Sequence, residues 1–175
     1  DKNLSPYAFT KAKNLEMLEN LKRWYNFKFE VIYFYNVYGP KQISKGDMAT
    51  VIGIFENQYK KKTPLTVVKP GTQTRRFTYI DDTINICIEA WSKNKCAYYS
   101  ISHKKSYSIR QLAGLFKTKI VYIKSRSGER YASALTRISK NNHIIQKFGK
   151  INLKDYVTSF IKNENYENKK LIKIN

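Results

Sequence analysis

The stretch FEVIYFY, Phe29 to Tyr35, constrains the fold more than any other part of this chain. Only Glu30 interrupts its apolar and aromatic run. A short run of that kind suits a strand covered on both faces, as in a parallel sheet. It follows a segment in which Ala8, Ala12, Leu15, Leu18, Leu21 and Tyr25 recur every three or four residues. That spacing predicts an amphipathic helix from Tyr7 to Tyr25, with Pro6 suited to the first turn. A helix running into a buried strand is the closing part of a βαβ unit, so an α/β chain is expected.

NVYGP ends the strand in a turn. Beyond it, Asp47 can cap a helix with the stripe Met48, Val51, Ile52, Phe55 and Tyr59, which Pro64 stops. LTVV (Leu65 to Val68) reads as a strand, and PGTQTRR as a turn into a second strand, Phe77 to Ile80. Asp81 or Asp82 is the expected cap of a helix through Trp91. Strands follow at Tyr98 to Ile101 and Ile120 to Ile123, separated by a helix IRQLAGLF started by Ser106 or Ser108. Two more helices are expected, near Ser139 to Phe148 and Leu153 to Ile161, and the polar tail from Asn163 is expected to fray.

At 175 residues, 42% of them hydrophobic, the chain can bury a core. Its net charge of +20 is uneven: residues 93–150 hold 14 Lys/Arg against one acid, Glu129. Such a field attracts polyanions. A well-solvated basic surface is the favoured explanation, since no nucleic-acid motif accompanies the charge. Cys87 and Cys96 fit no metal spacing and no disulfide framework. His103 and His143 stand in polar surroundings and read as surface residues. No metal site, no membrane span and a reduced cytoplasmic setting are expected.

Tyr7 and Lys11 are four residues apart on the first helix, hence on one face. A neighbouring ammonium favours a phenolate. A tyrosine so placed can take the proton of a substrate hydroxyl as hydride leaves the same carbon. The spacing alone also arises by chance in a lysine-rich chain, where the tyrosine is only an amphipathic surface residue.

SPYAFTKAKNLE, the buried strand, NVYGP, GTQTRRFTYIDD and RSGE at Arg126 to Glu129 stand in a set order. From about Leu4 to Ile161 this order resembles the extended short-chain dehydrogenase/reductase family, in particular its nucleotide-sugar epimerases and dehydratases. The resemblance implies NAD as cofactor and a nucleotide-diphosphate sugar as substrate. Tyr7 would be the catalytic base and acid, and Lys11 would hold the nicotinamide ribose and favour the ionised Tyr7. Tyr35 would lie against the nicotinamide. Asn36, Arg75 and Arg126 would hold the sugar-diphosphate, Glu129 the nucleotide's ribose, and Thr50 and Val51 the nucleotide-cradling segment.

The sequence departs from that pattern in three places. No glycine-rich dinucleotide turn is present, and only six residues precede Tyr7, where a catalytic Ser or Thr would stand some twenty-odd residues upstream. Arg76 takes the place of a usual aspartate, and Ser127 that of a frequent proline. The expected architecture is therefore the last helix and strand of a Rossmann-type parallel sheet (residues 1–40), a small α/β substrate domain (41–162) and a polar tail (163–175). The strand at Phe29 to Tyr35 would then have open, apolar edges. The expectation is a C-terminal part of an epimerase or dehydratase, inactive in isolation, whose sheet pairs with a separate N-terminal half or a second copy. A polyanion-binding module and a remnant acting as an interaction protein stand beside that reading.

Overall fold

A computed structural model describes residues 5–103, 105–124, 142–143 and 150–172. Helix α1 (Pro6–Tyr25) starts where the Ser5 hydroxyl oxygen accepts a hydrogen bond from the Ala8 N–H. It ends at Asn26, whose left-handed backbone (φ 52°) turns the chain out of the helix. Strand β1 (Val31–Phe34) is shorter than the apolar run that predicts it. It pairs in parallel with β6 (Tyr98–Ile101), and β9 (Asn142–His143) completes the order β1-β6-β9. The expectation of cover on both faces fails. Tyr33 is 39% and Phe34 57% exposed. The other edge of β1 has no strand partner among the described residues.

After β2 (Val37–Tyr38) comes helix α2 (Val51–Lys60). Its cap is Thr50, not Asp47: the Thr50 hydroxyl accepts from the Gly53 N–H at 3.0 Å. Met48 lies before the helix, 79% exposed, so the buried stripe begins later than predicted. The loop carbonyl of Ile43 accepts the Thr50 N–H at 2.9 Å and fixes the helix start. A Cβ on residue 53 would stand 2.4 Å from that same carbonyl oxygen, which is why glycine is needed there.

Strands β3 (Leu65–Val68) and β8 (Ile120–Ile123) match the predicted segments and pair in parallel. Of the strand predicted at Phe77 to Ile80 only Thr78 and Tyr79 are extended, and the predicted turn before it contains a strand of its own. Strand β4 (Thr74–Arg76) pairs antiparallel with β7 (Ser106–Ser108), while β5 (Thr78–Tyr79) pairs in parallel with β2. Helix α3 (Ile80–Lys93) follows without a gap. Tyr79 is its cap and supplies no side-chain hydrogen bond, so Asp81 and Asp82 are first-turn residues that favour the helix dipole instead of caps. Buried Asp82 accepts the Ile151 N–H at 3.3 Å.

Helix α4 (Ile109–Leu115) opens with a capping box, Ser108 and Gln111 each holding the other's backbone N–H. Helix α5 (Leu153–Ile172) corrects the frayed-tail expectation, being helical well past Asn163. Lys60 reaches across to Glu164 on it at 3.1 Å. Of the helix predicted at Ser139 to Phe148, residues 142–143 are strand and the rest lies outside the described residues. His103 is half-buried, its backbone N–H donating to Thr78 Oγ1 at 3.3 Å, where a surface residue was expected.

The core gathers Tyr38, Ile52, Phe55, Leu65, Val67, Phe77, Tyr107, Leu112, Phe116, Leu153 and Val157. Its residues come from position 38 onward, and α1 contributes no buried residue. Tyr38 is the pivot. Its ring meets Tyr79 and Tyr156 edge-on at 5.6 and 5.1 Å between centroids, and its hydroxyl donates to the Ile151 carbonyl at 2.9 Å.

Candidate active site

In a parallel α/β sheet the carboxyl ends of the strands are where ligands are presented. Strand β1 ends at Phe34, and the next two residues face two different clefts. Tyr35 lines the first, of about 520 Å³, together with Tyr7, Lys11, Leu15 and Leu18 from α1. Asn36 lines the second, of about 410 Å³, together with Val51, Thr66, Gln73 and Arg75. Both volumes fall in the range of small-molecule sites, roughly 300–1,000 Å³. Six of the nine site residues picked out in the sequence line these two clefts. Thr50 adjoins the second as the cap of α2, while Arg126 and Glu129 lie outside the described residues.

On the first side, the Lys11 ammonium lies 5.7 Å from the centre of the Tyr7 ring. One helical turn brings the two together, and Tyr7 is 72% exposed. A phenol in reach of solvent beside a cation can exchange a proton with a docked hydroxyl.

On the second side, Asn36 takes a left-handed conformation (φ 37°), one that asparagine tolerates better than most residues. Its Nδ2 donates to the Arg76 carbonyl at 2.8 Å, and its own carbonyl accepts the Thr78 N–H at 3.3 Å. This locks the turn after β1 onto β4 and β5. Arg75 is half-buried, its Nη1 donating to the Thr74 carbonyl at 2.9 Å. Thr50 donates to Gln42 Oε1 at 2.8 Å while capping α2, which leaves the N-terminal turn of that helix beside Val51 at the cleft. A helix N-terminus and a guanidinium are complementary to an anion. Gln73 was passed over in the sequence as part of a turn. It is 6% exposed and lines the cleft.

Burial sets the protonation of the groups behind the clefts. It raises the Tyr38 phenol, with help from the Asp82 charge, and raises the Tyr156 phenol, which donates to Glu56 at 2.7 Å. Burial also raises the Glu56 and Asp82 carboxyls above the usual carboxylate range. Among the described residues no cluster of His, Cys, Asp or Glu could hold a metal ion, and no helix is long and apolar enough to cross a membrane.

The parallel strand pairs with helices between them and the clefts at a strand's carboxyl end define a Rossmann-type α/β chain. The chain belongs to the NAD dependent epimerase/dehydratase family, whose sequence profile matches residues 1–101. A Methanocaldococcus jannaschii protein assigned as a UDP-glucose 4-epimerase is 32% identical over 136 residues, 73% of this chain and 43% of that protein. The UDP-glucuronate 4-epimerase of Thermodesulfobacterium geofontis is 39% identical over 83 residues, 47% of this chain and 24% of the relative. The UDP-glucuronic acid 4-epimerase of Bacillus cereus, solved with UDP-glucuronic acid and NAD, superimposes with a TM-score of 0.73 at 27% identity, over 91% of this chain and 53% of that one. The chain thus spans about half the length of these full enzymes or less.

Proposed function

We propose that this chain carries the proton-transfer and nucleotide-sugar-binding elements of an NAD-dependent nucleotide-sugar epimerase or dehydratase. The observation that carries the reading is the placement of Tyr35 and Asn36. These consecutive residues face, respectively, the Tyr7–Lys11 cleft and the Arg75 cleft, so a sugar at their junction reaches both.

In this reading Arg75 and the N-terminal turn of α2 hold the diphosphate. Asn36, braced by the Arg76 carbonyl, sets the height of the sugar between the clefts. The Tyr7 oxygen takes the proton of a sugar hydroxyl and later returns it, while the Lys11 ammonium supports the charge that Tyr7 carries in between. Tyr7, Lys11 and Tyr35 suit the nicotinamide end of NAD, whose chemistry is to accept and give back the hydride. The residues for its pyrophosphate, a glycine-rich turn, are not in this sequence. We therefore expect the chain alone to bind NAD weakly and to turn over no substrate. The exposed apolar side chains of α1, β1 and α3 are, in this reading, the surface that the remaining half of such an enzyme covers. The family match and the two clefts favour this reading over a polyanion-binding module.

The test is calorimetric titration of UDP-glucose into the chain. Binding is expected, weakened at least about tenfold, or 1.4 kcal/mol, in Arg75→Ala. Equal binding by Arg75→Ala would remove that residue from the site, and micromolar NAD binding would contradict the expected weakness toward the cofactor.

A further inference from the structure

The Thr50 hydroxyl at the start of α2 is engaged on both sides. Its oxygen accepts the Gly53 N–H at 3.0 Å, and its proton goes to Gln42 Oε1 at 2.8 Å. Gln42 is not part of α2. It belongs to the loop after β2, shortly beyond Tyr38 in the core. Lys41 before it takes a left-handed backbone (φ 64°), uncommon for a residue other than glycine, and the chain turns back to the helix start. The other end of the Gln42 amide is poorly served. Its Nε2 is buried without a hydrogen-bond partner of good geometry, although it stands near enough to the Glu56 carboxyl to favour the ionised form. Such an amide is costly to bury, and a methionine or leucine would fill the space without that cost. What neither could supply is the acceptor for Thr50.

That acceptor matters because a hydroxyl has a single proton to give. With the proton committed to Gln42, the Thr50 oxygen keeps its lone pairs for the Gly53 N–H. Without Gln42 the acceptor left to it is the Ile43 carbonyl, 3.5 Å away and already bound by the Thr50 N–H at 2.9 Å. The first turn of α2 can then be accounted for donor by donor. The Thr50 N–H is held by the loop and the Gly53 N–H by the cap. The N–H groups of Val51 and Ile52 remain without a partner among the described residues, as the first turn of a helix requires unless something else accepts them. Val51 lines the second cleft.

We propose that Gln42 is a positioning residue for nucleotide-sugar binding, which holds the Thr50 hydroxyl in its capping orientation and so keeps the Val51 and Ile52 N–H groups set for the diphosphate. This rests on the nucleotide-sugar reading of the second cleft. Gln42 itself touches no ligand and acts through Thr50. The segment from Asn36 to Gln42 then serves the cleft twice: Asn36 lines it directly, and Gln42 braces the start of the helix beside it.

The experiment titrates UDP into the full chain as wild type, Gln42→Met, Thr50→Val and the double variant. Each single variant is expected to bind UDP about fivefold more weakly, the worth of one neutral hydrogen bond. The double variant is expected to bind no more weakly than Thr50→Val alone, because Gln42 has nothing to hold once the hydroxyl is gone. In a Thr50→Ser background, which keeps the hydroxyl, the loss from Gln42→Met should return. A glutamine that only packs against Glu56 would weaken binding equally in every background, and that additive outcome overturns the proposal. Unchanged binding by Gln42→Met overturns it too. Should that variant unfold, Gln42→Asn keeps an amide, stops one methylene short of Thr50 and carries the same expectations. If Arg75→Ala weakens UDP binding while Gln42→Met does not, this inference falls and the nucleotide-sugar reading stands. If UDP fails to bind the wild type, both fall together.

Discussion

The two clefts share the end of β1 but rest on different foundations. Behind Asn36 and Arg75 stands Phe55, 1% exposed, within a core that also holds Leu65 and Val67 at 0%. Behind Tyr7 and Lys11 stand α1, which buries nothing, and β1, whose Phe34 is 57% exposed. Helix α3 adds to the uncovered side, with Ile84, Ile88 and Trp91 turned outward at helical spacing. One cleft therefore inherits its shape from packing. The other depends on a helix laid over a sheet edge, and its apolar groups ask for cover. Two clefts that meet at one strand end can thus differ in self-sufficiency within one chain.

The widest gap between the regions should appear in core truncations. Phe55→Ala removes a ring packed edge-on against Phe116 and is expected to cost about 3–5 kcal/mol in chemical denaturation. Leu15→Ala on half-buried α1 is expected to cost less than about 1 kcal/mol. Similar losses at both positions would mean that α1 is as firmly packed as the core, and the contrast would disappear.

A finer comparison uses two helix caps of the same type. Ser108 caps α4, which buries Leu112 and Ala113, so Ser108→Ala should lower global stability by about 1 kcal/mol. Ser5 caps the exposed α1 through Ala8, and Ser5→Ala should leave the melting temperature in place while speeding amide exchange in the first turn. A global loss from Ser5→Ala would contradict the picture of an independently fraying helix.

The smallest effect is one of pH and belongs to the packed side alone. Burial raises the Glu56 carboxyl, so the unfolded chain ionises it at lower pH than the folded one does. The folded state then binds the extra proton, and stability falls as pH rises from the unfolded value through the raised one. Glu56→Gln keeps an acceptor for the Tyr156 hydroxyl and removes the charge. Its melting temperature should gain on the wild type as pH rises from the ordinary glutamate range through the raised one. A constant difference would show that burial of this carboxyl carries no weight.

Strong local pattern made much of the fold legible. LTVV, IVYI and YYSI are strands where their β-rich runs lie, and of the two helix starts offered, Ser106 and Ser108, it is Ser108 that caps α4. What escaped was decided by distant contacts. Asp47 and Thr50 are equally good caps in isolation, and it is the Ile43 carbonyl that selects Thr50. GTQTRR read as a turn, yet Thr74–Arg76 within it pair antiparallel with β7, while Thr78 and Tyr79 of FTYI pair in parallel with β2. The polar helix beyond Asn163 reads as tail because its polarity hides the Lys60–Glu164 contact. In the site, Asn36, Val51 and Arg75 were legible through motif order and do line one cleft, though what they bind is a separate matter. Gln73 was not, since nothing in GTQTRR announces that a glutamine will be buried.

The carboxylate of Glu30, just before β1, accepts the Cys96 N–H at 2.9 Å and the Ala97 N–H at 2.7 Å, at the threshold of β6. It clips together two segments separated by 66 and 67 residues. Closing so long a loop costs entropy before any contact repays it, and slow steps in folding are of this kind. We expect the elements from β2 to β5 to condense first and the β1–β6 pair to zip afterwards, with Glu30 as its first tooth. The tyrosine and lysine of α1 would then come into register only at the close of folding, after the cleft of Asn36 and Arg75 already exists.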